Sequence, residues 1–250
     1  MKGLGANDVV LIRTTLDEPT KILNTKVTPE LITYLKSRFY NAVDLYEDKA
    51  YKEQLLYACI QYIPALVLGF SHGTPISLLA QDGTPALDIG TAIWMNNKIV
   101  YLFACHAGKE LAQALVDNGA KAVFAFTDVV YLILDENNNP VEGYRETCLM
   151  VPKLLVEGYK VKDCYQAALD EYEKWIKYHE DKGNTLVADL FRWNRDHFIL
   201  KGTGESTIGL SAYLFVGLTD VLLMANVLIW GVGNIALGLW RAYKAWKKYE

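Results

Sequence analysis

Cys105 and His72 are the side chains whose types and placement best fit attack on a carbonyl. Cys105 follows the apolar run KIVYLFA (98–104), and His72 follows ALVLGF (65–70) through Ser71. A thiolate is the nucleophilic form of cysteine, and an imidazole beside it can take the thiol proton and later return it to a departing amine. Gly73, directly after the histidine, lets the backbone pass close to a substrate. The Gly73 and Cys105 backbone N–H groups then form a candidate oxyanion hole. The segment HAGKELAQALVDNGA (106–120) reads as a helix closed at Asn118-Gly119. A helix starting near His106 would set Cys105 at its positive end and lower the thiol pKa.

Two such residues meet only if the elements carrying them are neighbours. Residues 9–13 (VVLIR), 65–70, 98–104 and 121–127 (KAVFAFT) are continuous apolar runs, with 129–134 a possible further strand. Helical patterns separate the runs. Runs buried on both faces and alternating with helices predict an α/β fold with a mostly parallel central sheet covered by helices. In such sheets ligands bind beyond the carboxyl ends of the strands, where His72 and Cys105 both fall. Thr28-Pro29-Glu30 reads as a helix start with Thr28 as N-cap, and Leu31, Leu35, Phe39, Ala42 and Tyr46 continue at helical spacing. Further helices are predicted near 48–61, 144–158 and 161–182, the last with Val161, Tyr165, Ala168, Tyr172, Trp175 and His179 as its apolar stripe. Residues 135–143 read as a turn and 183–205 as a linker with some helix.

The composition narrows the function classes. The chain has 250 residues, 52% hydrophobic and 22% charged, with net charge −4. That excludes intrinsic disorder, and with no basic excess to neutralise phosphates it argues against nucleic acid as a partner. Cys59, Cys105, Cys148 and Cys164 form no C-x-x-C pair, so neither a disulfide scaffold nor a structural zinc site is expected. No cofactor motif is present: G-x-G-x-x-G after a strand and the P-loop pattern are both missing. Cys59, Cys148 and Cys164 fall on apolar helical faces and read as core; His179 and His197 read as non-catalytic.

The C-terminal end has another character. Between Glu205 and Arg241, Asp220 is the one charged residue, and it separates the uncharged runs 206–219 and 221–240. A helix of the second run's length spans roughly 30 Å, the thickness of a bilayer core. Trp240, Tyr243 and Trp246, followed by Lys244, Lys247 and Lys248, fit an interface. The expectation is a lipid membrane as partner through 206–240, with the preceding domain on the cytoplasmic side. The alternative is a greasy core helix or an oligomer interface. One span and two spans split near Asp220 both remain open.

The segment SHGTPISLL (71–79), followed by IVYLFACHAGKELAQALVDNGAKAVFAF (99–126), resembles the caspase-like (clan CD) cysteine peptidases, and within them the CHAT branch. The matching pieces are Ser71-His72-Gly73, Ala104-Cys105-His106-Ala107-Gly108 and Gly119-Ala120-Lys121-Ala122-Val123, with YRETCLMVPKLLVEGYKVKDCYQAAL (144–169) resembling the later helices. The resemblance covers roughly residues 8–180. It implies a caspase-like three-layer sandwich, with a peptidase domain over 1–182, a linker over 183–205 and a membrane segment with basic tail over 206–250. It makes Cys105 the nucleophile, His72 the catalytic histidine and Gly73 an oxyanion donor. Ala107 replaces the usual small polar residue, and His106 is an uncommon neighbour that competes as a base. A side chain directly after the nucleophile enters the helix, so His72 is preferred.

Asp88 and Asp128 are candidate acidic walls for a basic P1 side chain, and Arg13 a candidate for an acidic one; loop or capping roles are the alternative for all three. The expected activity is membrane-anchored endopeptidase cleavage of a protein or peptide through a Cys-His dyad and a thioester acyl-enzyme. Regulation, where it exists, would come from a separate protein or the membrane segment. The competing reading is a catalytically silent adaptor or sensor of the same fold.

Overall fold

The computed structural model of the chain describes residues 8–208. The elements run β1 (Asp8–Arg13), α1 (Glu18–Ile22), α2 (Thr28–Ser37), β2 (Asn41–Tyr46), α3 (Lys52–Tyr62), β3 (Leu66–Phe70), β4 (Gly73–Thr74), β5 (Ser77–Leu79), β6 (Pro85–Asp88), β7 (Ile99–Phe103), α4 (Leu111–Asp117), β8 (Ala122–Phe126), α5 (Tyr144–Val156), α6 (Val161–Asp181), α7 (Thr185–His197) and β9 (Phe198–Gly202). A π-helical turn, Leu23–Val27, joins α1 to α2, and a 3₁₀ helix, Ile89–Met95, precedes β7.

Six strands form one sheet in the order β2-β1-β3-β7-β8-β9. The first five are mutually parallel and β9 runs antiparallel to β8. The period-two pattern of the apolar runs feeds both faces. Val9, Leu11, Leu68, Tyr101, Phe103 and Phe124 pack against α2, α5, α6 and α7, while Val10, Ile12, Val67, Val100, Leu102 and Val123 pack against α3, α4 and the 3₁₀ helix. The result is three layers with a mostly parallel central sheet. Between β3 and β7 the chain inserts a small antiparallel sheet, β4-β5-β6, on the α3/α4 side.

Several sequence expectations are corrected. Ala42 and Tyr46 belong to β2, not to a helix: Phe39 takes a left-handed φ of 62° and the chain turns back beside β1. Thr28 is not an N-cap, because the chain enters α2 from the π turn without a side-chain cap; its buried hydroxyl bonds the Asn24 carbonyl and accepts from Arg13. Residues 129–134 form no strand, only an isolated bridge between Leu134 and Pro140. The stretch read as a linker supplies α7, which buries Ala188 and Phe191, and the edge strand β9. The domain also reaches beyond 205: Ser206 accepts from the Val161 N–H and Ile208 is buried in the core. The proposed membrane runs, Asp220 and the basic tail lie beyond these residues and outside the described part. Among the described residues no helix is long and apolar enough to cross a membrane.

Candidate active site

β3 and β7 are neighbours, and Phe70 is in register with Phe103. His72 and Cys105 each lie two residues past those partners, so equal extensions of adjacent strands carry both to the carboxyl edge of the sheet. Gly73 fixes how closely the extensions approach. A Cβ at this position would overlap the Cys105 carbonyl oxygen and lie 2.9 Å from the Ala104 Cβ, so the backbone after the histidine runs directly against the cysteine.

The turn carrying His72 is anchored from below. The Ser71 hydroxyl is buried between the Thr14 hydroxyl, 2.7 Å away, and the Leu79 carbonyl, to which it donates at 2.8 Å. The Leu79 N–H donates to the His72 carbonyl at 3.0 Å. The imidazole itself is 39% exposed, and its Nε2 lies 2.7 Å from Asp17 Oδ2. Asp17 is the N-cap of α1, in a reciprocal capping box with Thr20. Burial opposes ionisation of its carboxyl, but hydrogen bonds from the Thr20 N–H, His72 and the Thr20 hydroxyl outweigh that and hold it below the usual aspartate range. The sequence reading missed Asp17; the Asp17-Glu18-Pro19-Thr20 pattern that marks a helix start was its available signal.

Cys105 sits in a turn, and here a central expectation fails. The helix begins at Leu111 rather than near His106, and is seven residues long. His106 adopts a left-handed φ of 59°, its N–H donates to the Asp128 carbonyl at 3.1 Å, and the Gly108 N–H donates to the Phe126 carbonyl at 2.8 Å. A Cβ at Gly108 would strike that same carbonyl. The first N–H groups of α4 serve the Pro75 carbonyl, not the sulfur. The helix end therefore does not activate Cys105, whose thiol is pushed up by burial, with a smaller push from the Asp128 charge. Two backbone donors oppose this: the Val130 N–H, 3.4 Å from Cys105 Sγ, and then the cysteine's own N–H.

The remaining predicted residues separate. Asp128 stays at the site, accepting from the Val129 N–H, with its Oδ1 3.6 Å from His106 Nδ1. That hydrogen bond, aided by Lys109, His106 and His197, holds its carboxyl below the usual range despite some burial. His106 Nδ1 is buried without a hydrogen-bond partner. Arg13 leaves the list of substrate candidates: it is 4% exposed, grips both oxygens of Asp44 and donates to the Asn24 carbonyl and Thr28 hydroxyl. Asp88 is engaged as the cap of the 3₁₀ helix through Thr91 and as the partner of Lys52 at 3.0 Å. Cys59, Cys148 and Cys164 are buried free thiols, and His179 bonds the Glu142 carbonyl. No three His, Cys, Asp or Glu among the described residues are grouped to hold a metal ion.

No protein-family model and no curated protein matches this chain. Solved structures do. The crystal structure of gingipain R, an Arg-specific cysteine proteinase, superposes with a TM-score of 0.55 at 13% identity, covering 82% of this chain and 49% of that one. A complex of the pro- and mature domains of RgpB from Porphyromonas gingivalis gives 0.52 at 12% identity, covering 81% and 50%. The chain thus spans about half the length of these proteins. At such identities the likeness establishes the fold, which is caspase-like.

Proposed function

We propose that this chain is a cysteine endopeptidase in which Cys105 attacks the scissile carbonyl and His72 manages the proton. The observation that carries the reading is the contact of Gly73 with the Cys105 peptide, which sets the histidine turn against the cysteine turn at the sheet edge. In the reaction, the Cys105 thiol gives its proton to His72 and the sulfur adds to the peptide carbonyl. The resulting oxyanion is held between the Gly73 and Cys105 N–H groups. Collapse to a thioester expels the amine, which takes the proton from His72, and water then hydrolyses the thioester. The half-buried, unactivated thiol is compatible with this order, because proton transfer to the imidazole accompanies substrate binding. Asp17 orients the imidazole through its Nε2.

The placement within the CHAT branch rests on the sequence motifs alone. Asp128, ionised and beside the cysteine turn, favours a basic P1 residue, the class named for gingipain R. The apolar run 221–240 supports attachment to a lipid membrane; release from vesicles on deleting 221–240 tests it. A second reading, a silent adaptor of this fold, is favoured by the upward push on the Cys105 thiol. Cleavage of peptides with Arg, Lys or Asp at P1 by wild type, and its loss in Cys105→Ala, separates the two.

A further inference from the structure

The segment after β8 has an unusual source of hydrogen bonds. Residues 127–133 belong to no strand, yet their backbone polar groups need partners. α7 supplies them. The Asn194 side chain takes both sides of one residue, accepting from the Tyr131 N–H at 2.8 Å and donating to the Tyr131 carbonyl at 2.9 Å. The Trp193 indole N–H donates to the Val129 carbonyl at 2.8 Å, and its ring meets Tyr131 edge-on. At the end of the helix the His197 carbonyl accepts from the Thr127 N–H at 2.9 Å. Asn194 is 1% exposed, so its amide has no water to exchange with. Val129 and Tyr131 are thus tied to α7, while the N–H of the residue between them, Val130, points at Cys105 Sγ.

We propose that Asn194, assisted by Trp193, is a positioning residue for Cys105, acting through the Val130 N–H that it holds on the sulfur. A donor fixed on the sulfur favours the thiolate over the thiol and keeps the nucleophile aimed as charge develops on it. Asp128 on the clamped segment and Tyr144 on α5 are the titratable groups that interact with the sulfur, while His72 lies on the neighbouring turn and His106 directly follows the cysteine. Lys109 and His197 act on Asp128. The Asn194 side chain hydrogen-bonds none of these groups, while the Trp193 ring packs on His197 at 4.2 Å, so Asn194→Ala is the cleaner of the two variants.

The inference rests on reading Cys105 as the nucleophile, but its test needs no substrate. The rate of Cys105 alkylation by iodoacetamide is followed against pH in the full chain, by mass spectrometry of the Cys105 peptide. Asn194→Ala raises the midpoint by about one pH unit, and Trp193→Phe, which keeps the ring and removes the donor, moves it in the same direction by less. Should Asn194→Ala not fold, as judged by its thermal transition, Trp193→Phe decides. A midpoint equal to wild type in the folded variant that decides overturns the proposal. Failure of peptide cleavage, by contrast, overturns the peptidase reading and leaves this measurement intact.

Discussion

Asp17 Oδ2 lies 2.7 Å from His72 Nε2, tying the N-terminus of α1 to the turn beyond β3. With Nε2–H donating to the carboxylate, Nδ1 is the ring nitrogen with a free lone pair, the one able to receive a thiol proton. Asp17 therefore has two separable jobs, as helix cap and as partner of the imidazole.

Asp17→Asn separates them, since asparagine caps as well as aspartate. Thermal stability is expected to stay within about 0.5 kcal/mol of wild type, with kcat/KM for peptide cleavage down about a hundredfold. Asp17→Ala loses a further ~1 kcal/mol of stability with the cap. Steady-state kinetics and thermal melts on the pair check this; full activity in Asp17→Asn would contradict the role given to the carboxylate.

Gly73→Ala places a methyl group against the Cys105 carbonyl and the Ala104 Cβ. Because the carbonyl is backbone, the two turns must separate, costing about 1–3 kcal/mol. Cleavage should fall to the level of Cys105→Ala while the protein still melts cooperatively. Activity near wild type would show that the turns need not touch.

Arg13 is a structural residue despite its place at a strand end. Arg13→Ala leaves Asp44 without its bidentate partner and the Asn24 carbonyl with only the Thr28 hydroxyl as side-chain donor, and is expected to cost about 3–5 kcal/mol. Preference among P1 residues should be unchanged in protein stabilised by low temperature. A selective gain for acidic or basic substrates would instead place Arg13 in the substrate cleft.

The buried thiols give the fold an alkaline limit. Burial pushes Cys59 up to about 11 and Cys164 up to about 12. The unfolded chain releases these protons near pH ~9 while the fold retains them, so their contribution is complete below that pH and is lost as pH rises through the folded values. Melting temperatures should fall between pH 9 and 11, and less steeply in Cys59→Ala. A flat profile would mean that these thiols are not enclosed.

The buried strands were legible because parallel strands covered on both faces must be apolar throughout, as Leu66–Phe70 and Ile99–Phe103 are. β2 was not, because NAVDLY lies at the sheet edge with few buried side chains, and Ala42 and Tyr46 happen to continue the helical spacing of α2. Val129–Leu134 has strand composition, but the partners a strand would provide are taken by Asn194 and Trp193 from a distant helix. The placement of His72 and Cys105 at one sheet edge was legible because each follows an apolar run that a parallel sheet points the same way. Asp17 and Asn194 were not, since they act through long-range hydrogen bonds, one to His72 and two to the Tyr131 backbone, that no local pattern encodes. The early helix start failed for a local reason: the N–H groups of His106 and Gly108 go to the carbonyls of Asp128, just past β8, and Phe126, at its end, instead of to a helical turn.

The central claim is that Cys105 is a nucleophile served by His72, and an electrophilic peptide probe tests it most directly. Wild type, Cys105→Ala and His72→Ala are incubated with a peptidyl acyloxymethyl ketone bearing Arg at P1, and labelled sites are read by mass spectrometry. One adduct at Cys105 in wild type, none in Cys105→Ala and labelling slowed at least tenfold in His72→Ala is the expected result. Labelling that persists in Cys105→Ala, or proceeds equally fast without His72, would contradict the account.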